Sequence, residues 1–144
     1  MEESIEVFLM KPMEKFIDND LFAKHLGIKV YDARDGKARG QMHIERYHIN
    51  SAGTLHGGAI FALADAVFSA ASNSHGTLAM AIDVSISYFR AVKEGTIYAE
   101  AEEVSINPKL ATYLITIKDE QGGTIALFKG TVYKKDVPLE EIVK

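Results

Sequence analysis

One stretch of the chain constrains its fold more than any other. From Gly57 to Asn73 the only charged side chain is Asp65, which stands among Ile60, Phe61, Leu63, Val67 and Phe68, with six alanines between them. The length suits a helix of more than four turns. Because it is apolar on nearly its whole circumference, such a helix must be buried on most sides. The flanking segments have the other periodicity. Lys37, Arg39, Gln41 and His43 alternate with Ala38, Gly40, Met42 and Ile44, the pattern of a half-buried strand. The preceding Asp35-Gly36 pair is a hairpin signal and makes 28–33 the partner strand. Four more strand-like segments follow the helix, at 78–90, 96–106, 110–118 and 124–133. Their connections, around Lys93-Glu94-Gly95, Asn107-Pro108 and Gln121-Gly122-Gly123, are short enough to imply antiparallel neighbours.

The architecture expected is α+β, with one long central helix wrapped by a curved antiparallel sheet, in a single domain over residues 1–144. Residues 1–26 read as a helical lead, with Phe8, Leu9, Met13 and Phe16 on one face and Pro12 dividing it. Residues 137–144 read as a loosely held charged tail. A single sheet cannot enclose the helix completely, so a second copy is expected to cover what remains, as a homodimer.

Composition narrows the function. Hydrophobic residues make up 47% and charged residues 25%, which excludes a disordered chain. A net charge of -4 with scattered lysines and arginines argues against a nucleic-acid binder. The absence of cysteine excludes disulfides, thiolate metal sites and a cysteine nucleophile. No apolar run approaches the ~20 residues that span a bilayer, and Glu2, Glu3 and Glu6 do not suit a leader peptide, so no membrane partner and a cytoplasmic location are expected. His25, His43, His48 and His75 show neither metal-ligand spacing nor an evident carboxylate partner and are assigned to surface and loops, with no metal.

Two features carry chemistry. The first is Asn50-Ser-Ala-Gly-Thr-Leu-His56-Gly57-Gly58, which opens the apolar helix. Unpaired backbone N–H groups at a helix start stabilise developing negative charge, and glycine lets a carbonyl approach them closely. The second is Asp65, since a carboxylate in an apolar helix must be paired, protonated or used. The functional use is as general base or nucleophile. Gly57 and Asp65 are eight residues apart, hence about 12 Å along one helix, whereas a reacting carbonyl must lie within roughly 3 Å of both its oxyanion donor and its attacker. Two antiparallel helices across a two-fold axis bring Asp65 of one copy to Gly57 of the other, and a shared site is expected.

These residues carry a resemblance. The run Asn50, Gly53, His56-Gly57-Gly58, Leu63-Ala64-Asp65 and Asn73 resembles the hotdog-fold acyl-CoA thioesterases of the phenylacetic acid degradation (PaaI-like) type. The similarity extends from Asp20 to Ile28 before the motif and through Tyr88-Phe-Arg90 and Ala126 to Gly130 after it. The resemblance implies a hydrolase that splits an aryl-, short- or medium-chain acyl-CoA into free acid and coenzyme A, with no cofactor. It implies a homodimer as the minimal active unit, pairing into a homotetramer. By the same resemblance Asp65 activates water or attacks the thioester, the Gly57 N–H polarises the carbonyl, and Asn50 and His56 hold the substrate. Gly58 and Asn73 are carried along as substrate contacts, with Phe61, Phe68 and Tyr88 as candidate acyl-pocket walls. Arg90, Lys109 and Lys129 are candidates for the coenzyme phosphates. Many such proteins place a serine or threonine on the strand after the helix to orient water, and that position here falls at Ala81.

Other readings are weaker. A hydratase on this fold pairs its aspartate with a histidine five residues on, where this chain has Ala70. No Gly-x-Ser-x-Gly of a serine hydrolase occurs. A non-catalytic acyl-CoA sensor on the same fold is the alternative of a different class.

Overall fold

The computed structural model describes residues 12–143. Phe8 and Leu9 of the expected helical lead lie outside the described residues. Helical residues 12–18 (α1) lead into α2, Leu21–His25, whose N-cap Asp20 accepts from the Ala23 N–H. Then come β1 (Lys29–Arg34), β2 (Lys37–His43), a 3-10 turn at Arg46–His48 and the central helix α3 (Gly57–Asn73). Strands β3 (Thr77–Tyr88), β4 (Thr96–Ile106), β5 (Leu110–Lys118) and β6 (Thr124–Pro138) follow, and α4 (Leu139–Ile142) closes the chain.

The six strands form one antiparallel sheet in the order β1-β2-β4-β5-β6-β3. The hairpin at Asp35-Gly36 has positive φ at both residues, 54° and 77°, the geometry whose twist matches that of the flanking strands. Alternate residues of each central strand point to one face, which buries Ala38 and Met42 of β2, Ile97, Ala99 and Ala101 of β4, and Tyr113, Ile115 and Ile117 of β5. Helix α3 lies on that face and meets all six strands. It comes close because of two glycines. A Cβ at Gly40 would sit 2.5 Å from Val67 Cγ2, and one at Gly130 would sit 2.6 Å from the Phe68 ring.

The helix has the bounds expected of it, and the expected strands are present with shifted ends. Four expectations are corrected. Residues 134–138 continue β6 against β3, and Leu139 and Val143 are buried, so the tail is packed. The signal missed was apolar residues spaced for a last turn, Leu139 and Val143, among charges that face water. His48 is buried, with Nδ1 accepting from the Glu45 N–H (2.9 Å) and Nε2 against the Leu26 carbonyl (2.9 Å). His75 has a carboxylate partner, Glu103, at 2.6 Å, brought to it by folding across 28 residues. Phe68, expected in a substrate pocket, is also core. It is fully buried against Tyr113 and Phe128.

The two edges of the sheet differ. β1 bends at a register shift between Tyr31 and Arg34, with Asp32 at φ 55°. β3 is long and leaves Met80 and Ile82 exposed, at 49% and 60%, beside unpaired strand N–H and C=O groups. An apolar open edge of this kind is a template for pairing. Among the described residues no helix is long and apolar enough to cross a membrane.

The tight approach of α3 to the sheet sets a test. Gly130→Ala should destabilise the protein by about 1–3 kcal/mol, because the added methyl overlaps the immobile Phe68 ring. Urea unfolding of the two proteins measures the difference.

Candidate active site

The start of α3 is organised by His56, whose side chain and carbonyl between them occupy all but one of the helix's first donors. His56 is the N-cap, and its Nδ1 accepts from the Gly58 N–H at 2.8 Å. The Ala59 and Ile60 N–H groups go to the His56 carbonyl. The Gly57 N–H has no acceptor among the described residues, and it points out of the end of a four-turn helix whose dipole favours negative charge there. Tyr88 packs over Gly57. Its hydroxyl donates to the Gly57 carbonyl at 2.9 Å, and a Cβ on Gly57 would lie 3.2 Å from its ring. Burial pushes the Tyr88 phenol up, so it stays a donor.

This geometry redistributes the expected roles. His56 and Gly58 hold each other, so His56 shapes the helix start, and the Gly58 N–H is unavailable to a substrate. Asn50 ties its own loop. Its Oδ1 accepts from Ala52 N and Thr54 N, and its Nδ2 donates to Thr54 Oγ1. That knot delivers the chain to His56 through Leu55, which is buried. Asn73 is not a substrate contact. Fully buried, it donates from Nδ2 to the Ser69 and Ala79 carbonyls and accepts from Ala79 N, clamping the end of α3 to β3.

Asp65 lies eight residues along α3 from Gly57. Phe61, Asp65 and Ser69 form a half-buried stripe at i, i+4 and i+8, flanked by buried residues. Among the described residues no donor reaches the Asp65 carboxylate. Burial pushes its carboxyl above the ordinary 3.8, and the charge of Asp20 adds to the rise. A carboxylate so placed is a stronger base than one in water. Ser69, one turn from Asp65, was missed by the sequence reading. The i+4 spacing from the lone carboxylate was the signal. Ala81, at the position where a water-holding hydroxyl was sought, is exposed on β3. Phe61 stacks edge-on against Phe128 and leaves part of its ring uncovered.

The candidate phosphate ligands do not converge within one chain. Arg90 is ion-paired with Asp119, whose carboxyl is held below its ordinary value by Arg90 and by the Gly123 N–H. Lys109 sits at the far end of β5, about 30 Å away along the strand, in a shallow groove with Tyr133, Lys134 and Lys135. Lys129 projects outward from β6 between them. A cavity of about 540 Å³ lies elsewhere, beside Ala66, Ser69 and Ala70 of α3 and under α1, α2 and α4.

A helix start with one open N–H and a half-buried carboxylate farther along the same helix, inside a six-stranded antiparallel sheet, belong to a known class of protein. The chain is a member of the thioesterase superfamily, whose model matches residues 52–126, and it is a thioester hydrolase with the hotdog fold. A protein of Archaeoglobus fulgidus is 46% identical to it over 117 residues, covering 81% of this chain and 76% of the relative. The acyl-coenzyme A thioesterase PaaI of Escherichia coli is 34% identical over 118 residues, covering 81% of this chain and 84% of that protein. The solved structure of E. coli PaaI, from the phenylacetic acid degradation operon, superposes with a TM-score of 0.86 at 30% identity, over 90% of this chain and 95% of that one.

The raised Asp65 pKa has a consequence for stability. The unfolded chain releases this proton first as pH rises from 3.8, so stability is lost between that value and the raised folded one, and the loss persists above it. Asp65→Asn removes the loss. Its melting temperature should exceed that of the unmodified protein at pH 7, and the gap should close as pH falls toward 3.8, a comparison made by thermal melts across pH.

Proposed function

We propose that the protein hydrolyses an acyl-CoA to a carboxylic acid and free coenzyme A, in a site that two copies build together. The observation that carries this is the separation on α3 of two complementary groups, the open Gly57 N–H and the half-buried Asp65 with no donor. About 12 Å of helix lies between them, too far for one carbonyl to use both. Antiparallel α3 helices in a dimer bring one Gly57 to the other Asp65 and make two equal sites. The apolar open edge of β3 supports the same two-fold contact, since pairing with its own copy covers Met80 and Ile82.

In the reaction the thioester carbonyl oxygen accepts from the Gly57 N–H of one copy. Asp65 of the other takes a proton from water, and the water oxygen bonds to the carbonyl carbon. The developing oxyanion is held by the N–H and by the helix dipole behind it. Collapse breaks the C–S bond, and the proton on Asp65 passes to the departing thiolate. Ser69, on the same stripe, is the hydroxyl available to orient the water where Ala81 has none. His56 and Tyr88 act through Gly57, by fixing the start of the helix.

The test is thiol release over a panel of acyl-CoA substrates. Asp65→Asn should lower kcat by about 10²–10⁴. Gly57→Pro should lower it by about 10²–10³. Proline is tolerated at a first helical position, and His56 already has the extended backbone, φ −62° and ψ 133°, that must precede it. Mixing the two inactive chains should restore about half the unmodified rate per mixed dimer, because one of its two sites is then intact. Inert mixed dimers would show that each site lies within one chain. Tight acyl-CoA binding without turnover by the unmodified protein would sink the hydrolytic reading.

A further inference from the structure

We infer that the cavity under α1, α2 and α4 receives the acyl tail of the substrate, and that residues from the two ends of the chain set which tails are accepted. This rests on the acyl-CoA reading above. The cavity measures about 540 Å³, within the range of small-molecule sites. Its apolar lining comes from Phe16 and Ile17 of α1, Val30 of β1, Ala66 and Ala70 of α3, and the closing residues Ile142 and Val143.

Its position ties it to the reacting centre. Ala66 follows Asp65 directly, and Ser69 belongs both to the cavity lining and to the half-buried stripe on which Asp65 stands. Asp20, also in the lining, is close enough for Asp65 to feel its charge. A carbonyl held at Asp65 can therefore lead its tail along α3 toward Ser69 and Ala70. Of the walls anticipated from sequence, Phe68 does not border this space, since it is enclosed in the core.

The charge around the cavity selects the kind of tail. Asp18, Lys24 and Lys29 are exposed and form its rim, with Asp18 and Lys24 paired at 2.7 Å. Asp20 accepts from Ala23 N and is the carboxylate on the inner side. An uncharged apolar tail gains from burial here. A tail ending in a carboxylate loses its water on burial and meets Asp20, so dicarboxylic acyl groups are rejected.

Binding of unreactive thioethers tests this without needing turnover. Calorimetry should find S-octyl-coenzyme A bound at least about tenfold more tightly than S-ethyl-coenzyme A, and the ω-carboxylated octyl thioether no tighter than the ethyl one. Ile17→Trp and Ile142→Trp each fill the cavity from a position that is half-exposed or exposed, and in either folded variant the octyl preference should collapse to within about twofold. Equal binding of octyl and ethyl thioethers by the unmodified protein would overturn the assignment, as it would if a partner's side chains fill the cavity. An octyl preference that survives both substitutions would overturn it too. Octyl preference in a protein with no thioesterase activity would leave this inference standing and remove the hydrolytic one.

Discussion

The structure depends on enclosing one apolar helix that carries one carboxylate. Burying α3 takes its apolar side chains out of water and so stabilises the fold. Its alanines and the glycines at positions 40 and 130 let the sheet close to van der Waals distance. The same enclosure removes water from Asp65 and raises its proton affinity. Core packing and base strength are thus two results of one burial, which couples stability to chemistry. A fold that left Asp65 solvated would return its carboxyl to the ordinary range, and one that covered it completely would hide it from any ligand. The half-buried stripe of Phe61, Asp65 and Ser69 lies between those limits.

The second constraint is an economy of hydrogen bonds at the start of the helix. A helix leaves its first N–H groups without partners. Here the N-cap imidazole satisfies Gly58, the His56 carbonyl satisfies the next two, and only Gly57 keeps an open donor. Three polar residues of the loop, Asn50, Thr54 and His48, hold that arrangement by bonding to one another or to nearby backbone. Their work is orientation. In the proposed reaction the oxyanion donor is effective because it needs no rearrangement as charge develops, a property that a knotted loop over a rigid helix confers.

Much of this was legible in the residues. The bounds of α3 followed from its apolar run, the β1-β2 turn from Asp35-Gly36, and the strands from alternation, because each is a local pattern with a local cause. The special standing of Gly57 and Asp65 was legible too, since a lone charge in an apolar helix and a glycine at its start are odd wherever they occur. The individual jobs of their neighbours were not. Asn50, His56 and Asn73 all looked like substrate contacts, and folding gave each of them partners within the chain. His48 and His75 looked superficial until distant carbonyl and carboxylate groups arrived beside them.

By itself, then, the sequence determined which segments are helix and strand, which helix must be buried, and which two groups on it are out of place for packing alone and so candidates for chemistry. Those properties come from periodicity and from the cost of isolated charge, and both act over a few residues. Only the tertiary structure decided that Phe68 is core, that the C-terminal residues pack, and that a cavity framed by both ends of the chain opens beside Asp65. Each of these joins residues far apart in the chain, and such neighbours are chosen by packing the whole sheet around the helix.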